Sequence, residues 1–154
     1  MRVECINSFV DSTMQIMKEA VTSNVKRGQI SLRQQDIVPM FEVLTIVFMT
    51  GNINGRVLID MDKQTALNIA SKMNNEKITE FDNLVIATIT ELANMITGKA
   101  VTKLYELGFI FDITPPSLIY GERIQLTDNK LESLVVPLEL PEGKIEISVG
   151  IKES

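Results

Sequence analysis

A carboxylate and an amide stand inside the longest helical pattern of this chain, a largely apolar stretch. Leu84 to Val101 reads LVIATITELANMITGKAV and places Glu91 and Asn94 at a spacing of three. On a helix that spacing sets a carboxylate and an amide one turn apart on one face. Ala87 and Gly98 fall on the same stripe, one turn to either side, so a partner surface could come close there. A carboxylate can anchor a cation. A carboxamide both donates and accepts, so it can orient a water molecule although it is too weakly basic to deprotonate one. Glu-x-x-Asn is a weak pattern, and it recurs as Glu4 with Asn7 and as Glu80 with Asn83. Most such pairs are solvated helix faces. Glu80 and Asn83 lie in a polar helix start, where capping is expected. Glu4 and Asn7 lie at the start of the chain, where solvation is the default. Glu91 and Asn94 alone sit mid-helix among apolar neighbours.

Composition narrows the chemistry open to this pair. The 154 residues carry a formal charge of −5, with 45% apolar and 23% charged residues. That mix predicts a folded soluble chain, read as a single domain over residues 1–154. There is no His, which excludes Ser-His-Asp and Cys-His catalysis and His-ligated metal. Cys5 is the only cysteine, so neither an internal disulfide nor a CxxC metal site can form. The acidic balance argues against a nucleic-acid backbone binder. MRVECINSF lacks the basic start and apolar core of a signal peptide, and the run from Val43 to Met49 is too short to span a bilayer. The expectation is a cytoplasmic protein that binds neither membrane nor nucleic acid and works through carboxylates, amides and hydroxyls.

The elements that must position the pair follow from periodicity. The helix bearing it is expected from about Glu80 to Leu107, capped by Thr79 and closed at Gly108. An earlier helix is marked by Ile6, Phe9, Val10, Thr13, Ile16, Met17, Ala20 and Val21 and should stop before Gly28. A short third helix should follow an Asp62 cap. Strands are expected at Glu42 to Thr50 and Arg56 to Met61 around a Gly51–Gly55 hairpin. Others are expected at 30–38, Phe109 to Ile113, Ser117 to Leu126, Leu134 to Leu140 and Lys144 to Ile151. Thr127 to Lys130 and Pro141 to Gly143 read as turns. Hairpin-linked strands with separate helices give an α+β fold: an antiparallel sheet with two long helices and one short one, each half a long helix followed by strands, as in a duplication.

The run Glu91-Leu92-Ala93-Asn94-Met95-Ile96-Thr97-Gly98-Lys99, followed by Leu104, Gly108 and Asp112-Ile113-Thr114-Pro115-Pro116, carries a resemblance. It is similar to the signature of the CheC/CheX/FliY phosphatases of bacterial chemotaxis. Ile6-Asn7-Ser8-Phe9 and the Gly51–Gly55 hairpin match as well, so the likeness covers essentially the whole chain. A single strong Glu-x-x-Asn helix resembles the CheX branch more than CheC. Ala87 departs from the pattern, which often has Ser or Asp four residues before the glutamate.

The resemblance implies a phosphatase acting on the aspartyl phosphate of a CheY-like response regulator. The regulator would bring its own Mg²⁺ and lysine, and this chain would need no cofactor or metal of its own. Asn94 would position the attacking water and Glu91 would pair with the regulator's lysine, with a general-base role for Glu91 as the lesser alternative. Ala87, Gly98, Pro115 and Pro116 would shape the surface that receives the regulator. The rival reading, left open by Ala87, is a non-catalytic CheX-like adaptor that binds chemotaxis or flagellar components. The C-terminal strands Leu134 to Leu140 and Lys144 to Ile151 could leave an edge that needs cover. With the dimers of CheX-like proteins, this implies a homodimer joined through the sheet.

Overall fold

The computed structural model describes residues 3–34, 37–127 and 132–153. Helix α1 (Val3–Ala20) buries Cys5, Ile6, Phe9, Val10, Ile16 and Met17 along one stripe, as its period requires. It ends earlier than Gly28: the Val21 and Thr22 amides both donate to the Met17 carbonyl, and the chain leaves the helix there. Short strands β1 (Lys26–Arg27), β2 (Ser31–Arg33) and β3 (Ile37–Pro39) follow. A long hairpin comes next, β4 (Val43–Gly51) and β5 (Ile53–Met61). Helix α2 (Lys63–Asn74) is capped by Asp62, whose carboxylate accepts from the Thr65 amide at 2.7 Å. Helix α3 (Asn83–Glu106) leads to β6 (Phe111–Ile113), β7 (Ser117–Tyr120) and β8 (Gln125–Thr127). The chain closes with β9 (Ser133–Leu140) and β10 (Gly143–Glu153).

The main sheet is antiparallel, in the order β1-β9-β10-β5-β4-β6, with β2 also on β9 and β7 also on β4. The second sheet is the pair β3–β8. This order is a palindrome. The first half supplies α1, β1 to β3, β4 and β5; the second supplies α3, β6 to β8, β9 and β10. Each half sends its first two strands across to cover the outer strand of the other. The duplication expected from element order is therefore visible as approximate two-fold symmetry about the β5–β10 pair.

Strand alternation divides the burial. Val43, Met49, Val57, Ile59, Met61, Val136, Leu138, Ile145, Ile147 and Val149 face the three helices in one core cluster. Leu44, Ile46 and Leu58 point the other way and meet Met40, Ile124 and Leu126 beside the small sheet. Gly55 is required at the tip of β5, since a Cβ there would lie 2.0 Å from the Gly150 carbonyl oxygen on β10.

Three expectations need correction. The long helix is capped by Asp82, not Thr79, and starts at Asn83, so the proposed capping by Glu80 and Asn83 gives way to Asp82 as well. The single strand from Ser117 to Leu126 is two strands in different sheets, because Gly121 and Arg123 take positive φ of 156° and 57° between them. The expected free C-terminal edge is absent among the described residues: β10 is central and β9 is covered by β1 and β2. An edge-to-edge homodimer through those strands loses its physical basis. The turn at Thr127 to Lys130 extends outside the described residues past Thr127, which ends β8.

Candidate active site

Helix α3 forms where it does because its start is strongly signalled. Asp82 accepts from the Leu84 and Val85 amides at 3.1 and 3.3 Å. Val85, Ile89, Leu92, Ala93, Ile96, Ala100 and Leu104 are all buried in the core cluster. By length and composition α3 could cross a membrane, but this apolar surface is turned onto α1, α2, β4 and β7. Removing each large apolar side chain from water contributes about 1.5–3 kcal/mol, which fixes the helix's rotation about its axis. That rotation leaves Ala87, Glu91, Asn94 and Gly98 together on the exposed stripe, as their spacing predicts. Gly98 is informative here. A Cβ at Gly98 would meet nothing within 4 Å, so the fold does not require glycine, although mid-helix glycine costs about 1 kcal/mol relative to alanine.

A corner of chain faces this stripe. On the outer edge of β4, β6 pairs with register Met49↔Ile113 and β7 with register Ile46↔Ser117. Between those pairs β4 has Val47 and Phe48, while the other chain has Thr114, Pro115 and Pro116. One residue is extra, so the edge carries a bulge, a feature common beside active sites. Its ends are anchored. The Asn52 amide donates to the Ile110 carbonyl and the Asn52 side chain accepts from the Ile110 amide. The Tyr105 hydroxyl donates to the Phe111 carbonyl at 3.0 Å, and Phe81 stacks at a tilt on Tyr120 with centroids 5.1 Å apart. Helix and corner flank an open cavity of about 320 Å³ lined by Asn94, Thr97, Gly98, Ile113, Thr114, Pro115 and Pro116. Asn94, Gly98, Pro115 and Pro116 are thus brought together. Glu91 and Ala87 lie further up the same helix face and do not line the cavity.

Other features carry less chemistry. A cavity of about 490 Å³ lies against α2 and the Pro141–Glu142 turn, away from Glu91 and Asn94. Asp60 on β5 is buried, and that burial pushes its carboxyl up to about 7 even though the Phe41 amide donates to it at 2.9 Å. It faces Glu146 and Arg33 across the sheet, on the surface turned away from the helices, so it cannot reach a group docked on α3. Among the described residues no cluster of three His, Cys, Asp or Glu could hold a metal ion. Thr114 carries no signal of its own in the sequence, where the Pro115-Pro116 pair marks the corner.

Residues 43–139, which span β4 through most of β9 and include α3 and the corner, match the family model for the chemotaxis phosphatase CheX. This chain belongs to the CheX family. A CheY-P phosphatase CheX from Thermotoga maritima is 30% identical over 142 residues, 92% of this chain and 88% of the relative. Among solved structures, CheX in a CheX–CheY–BeF3–Mg²⁺ complex from Borrelia burgdorferi superposes with a TM-score of 0.85 at 38% identity, covering 99% of this chain and 100% of that one. A CheC-like superfamily protein from Shewanella sp. PV-4 gives a TM-score of 0.88 at 26% identity over 99% of both chains. The α+β, CheC-like fold read from the sequence is the one observed.

Proposed function

We propose that this chain hydrolyses the aspartyl phosphate of a CheY-like response regulator by setting the α3 stripe against the regulator's acid pocket. One observation carries the reading: Asn94 stands on an exposed, small-residue stripe of a rigid core helix and opens directly into the cavity beside the Thr114–Pro116 corner. The CheX relative named as a CheY-P phosphatase and the CheX complex with CheY support the choice of substrate.

Hydrolysis of an acyl phosphate needs a water in line with the scissile P–O bond. Water adds to phosphorus, the aspartyl carboxylate leaves, and inorganic phosphate is released. Asn94 accepts from that water and donates to a phosphoryl oxygen, so it acts by orientation. Glu91, one turn away, pairs with the regulator's lysine and fixes how deep Asn94 enters. Mg²⁺ comes with the regulator and neutralises charge on the phosphoryl oxygens. Ala87 and Gly98 keep the approach open, and Pro115 and Pro116 form its opposite wall. In this reading residues 1–154 act as one cytoplasmic phosphatase unit that pairs as a homodimer.

The test is phosphate release from a purified CheY-like protein charged with a small acyl phosphate and Mg²⁺. Addition of this chain should shorten the lifetime of the phosphorylated regulator, and Asn94→Ala should remove the effect while leaving the circular dichroism spectrum unchanged. An unchanged lifetime alongside measurable binding would instead establish the adaptor reading.

A further inference from the structure

We infer that Thr114 is a positioning residue for this reaction: its hydroxyl stands in for a lost strand carbonyl and fixes the distance between the proline corner and Asn94. The inference rests on the phosphatase reading above.

The corner lacks the usual means of holding its place. Pro115 and Pro116 have no N–H and cannot donate to β4. The extra residue in the bulge also takes the chain out of register. In a regular antiparallel pair Phe48 and Thr114 would exchange two backbone hydrogen bonds. One survives, from the Thr114 amide to the Phe48 carbonyl at 3.0 Å. For the other, the Phe48 amide donates to the Thr114 side-chain oxygen at 2.9 Å. The hydroxyl thus serves where the backbone carbonyl would, and the chain is free to bend into Pro115 while remaining fixed to β4. Thr114 lines the cavity into which Asn94 opens, so the clamp and the site share one wall.

The symmetry of the fold supplies a comparison. On the opposite edge, β1 pairs with register Arg27↔Leu138 and β2 with register Ser31↔Val135. Between them β9 has Val136 and Pro137, while the other chain has Gly28, Gln29 and Ile30. The same one-residue bulge recurs, with Gly28 where Thr114 stands and Pro137 where Phe48 stands. The Gly28 amide donates to the Pro137 carbonyl at 2.8 Å, matching the surviving backbone bond. Pro137 has no N–H to offer, and Gly28 has no hydroxyl to receive one. A Cβ on Gly28 would lie 2.7 Å from the Pro137 ring. The side-chain clamp therefore occurs where the opposing strand has an N–H and the corner walls the Asn94 cavity. It is missing from the equivalent bulge in the other half.

The test uses the full chain with phosphorylated regulator. Thr114→Val keeps shape but removes the acceptor; Thr114→Ser keeps the acceptor. Because displacements of about 1 Å at a reacting centre can cost up to a hundredfold, Thr114→Val should lower kcat about tenfold or more. KM for the regulator should change less than threefold, since most of the docking surface lies along α3. Thr114→Ser should restore kcat to within about threefold of wild type. Should the valine variant melt early, Thr114→Ala gives the same readout without the added methyl. Wild-type kcat in a folded Val or Ala variant overturns the inference, and so does equal loss in Val and Ser. Asn94→Ala run in parallel separates the two levels. If it too keeps wild-type kcat, the water-positioning role of Asn94, and with it the site that Thr114 is argued to serve, fails. If it is inactive while Thr114→Val is fully active, only the role of Thr114 fails.

Discussion

Helices α1 and α3 occupy equivalent places in the two halves of the molecule, and each shows solvent a Glu-x-x-Asn pair. Glu4 and Asn7 are exposed on α1 as Glu91 and Asn94 are on α3. Each asparagine precedes its bulged corner by nearly the same length of chain. The surroundings then diverge. Beyond Asn7 the exposed stripe continues with Asp11, Gln15 and Lys18, long or charged side chains that would hold a partner away. Beyond Asn94 it continues with Gly98 and Thr102, and the first large side chain is Tyr105 three turns on. The corner after α1 is Gly28-Gln29-Ile30 without a side-chain clamp, and the corner after α3 is Thr114-Pro115-Pro116 with one. No α1 residue lines either cavity described above. A motif is thus insufficient for a site. The low relief of the stripe and a fixed opposing wall distinguish the second pair.

The sharpest way to break this contrast is to remove each amide in turn. Asn94→Ala should lower the rate of regulator dephosphorylation about 10²–10³-fold, the usual cost of losing one oriented hydrogen-bonding group at a reacting centre. Asn7→Ala should leave it within twofold. Equal losses would mean that both halves carry working sites.

The next effect concerns stability and separates the site from the sheet beneath it. Asp60 sits at about 7 rather than 3.8 because burial disfavours its charge. Between those values the folded protein keeps a proton that the unfolded chain has released. Its contribution is therefore fully present below about pH 4 and is lost as pH rises through about 7. At about 1.4 kcal/mol per unit, urea denaturation should show stability falling by a few kcal/mol over that window. Asp60→Asn should flatten the slope while still accepting from the Phe41 amide. The difference between Asn94→Ala and Asn7→Ala should survive in that background, because Asp60 lies on the face turned away from both helices. A collapse of that difference would mean that the two faces are coupled.

Glu91→Gln tests the division of labour within α3. Losing one charge-assisted pair should raise KM for the regulator about tenfold with less change in kcat. Added salt should narrow the gap to wild type. A fall in kcat alone would favour the general-base role.

Much of this was legible in the sequence because helix faces are local. The buried stripes of α1 and α3, the Asp62 cap and the Gly51–Gly55 hairpin all follow from residues a few positions apart. The failures share a cause. Thr79 and Asp82 are both competent caps, and the choice fell to where Val85 and Ile89 could enter the core. Strands β1 and β2 are too short and too exposed to show alternation; they exist because β9 pairs with them. The Thr114 clamp depends on a register offset between segments far apart in sequence, which no local pattern encodes.

Gly98→Ala has the smallest expected effect and bears most directly on why α3 differs from α1. Open space surrounds the missing Cβ, so alanine should fit without strain and stabilise the helix by up to about 1 kcal/mol. If the fold alone governed this position, the variant would gain stability at no cost. In the proposed docking, the added methyl stands on the cavity wall beside Asn94 and blocks the closest approach. Thermal melting should therefore shift upward while KM for the phosphorylated regulator rises a few-fold, the opposite signs arising from one methyl group. A more stable variant with unchanged KM and kcat would show that the stripe's low relief is incidental. The distinction between the two halves would then rest on the corner and the cavity alone.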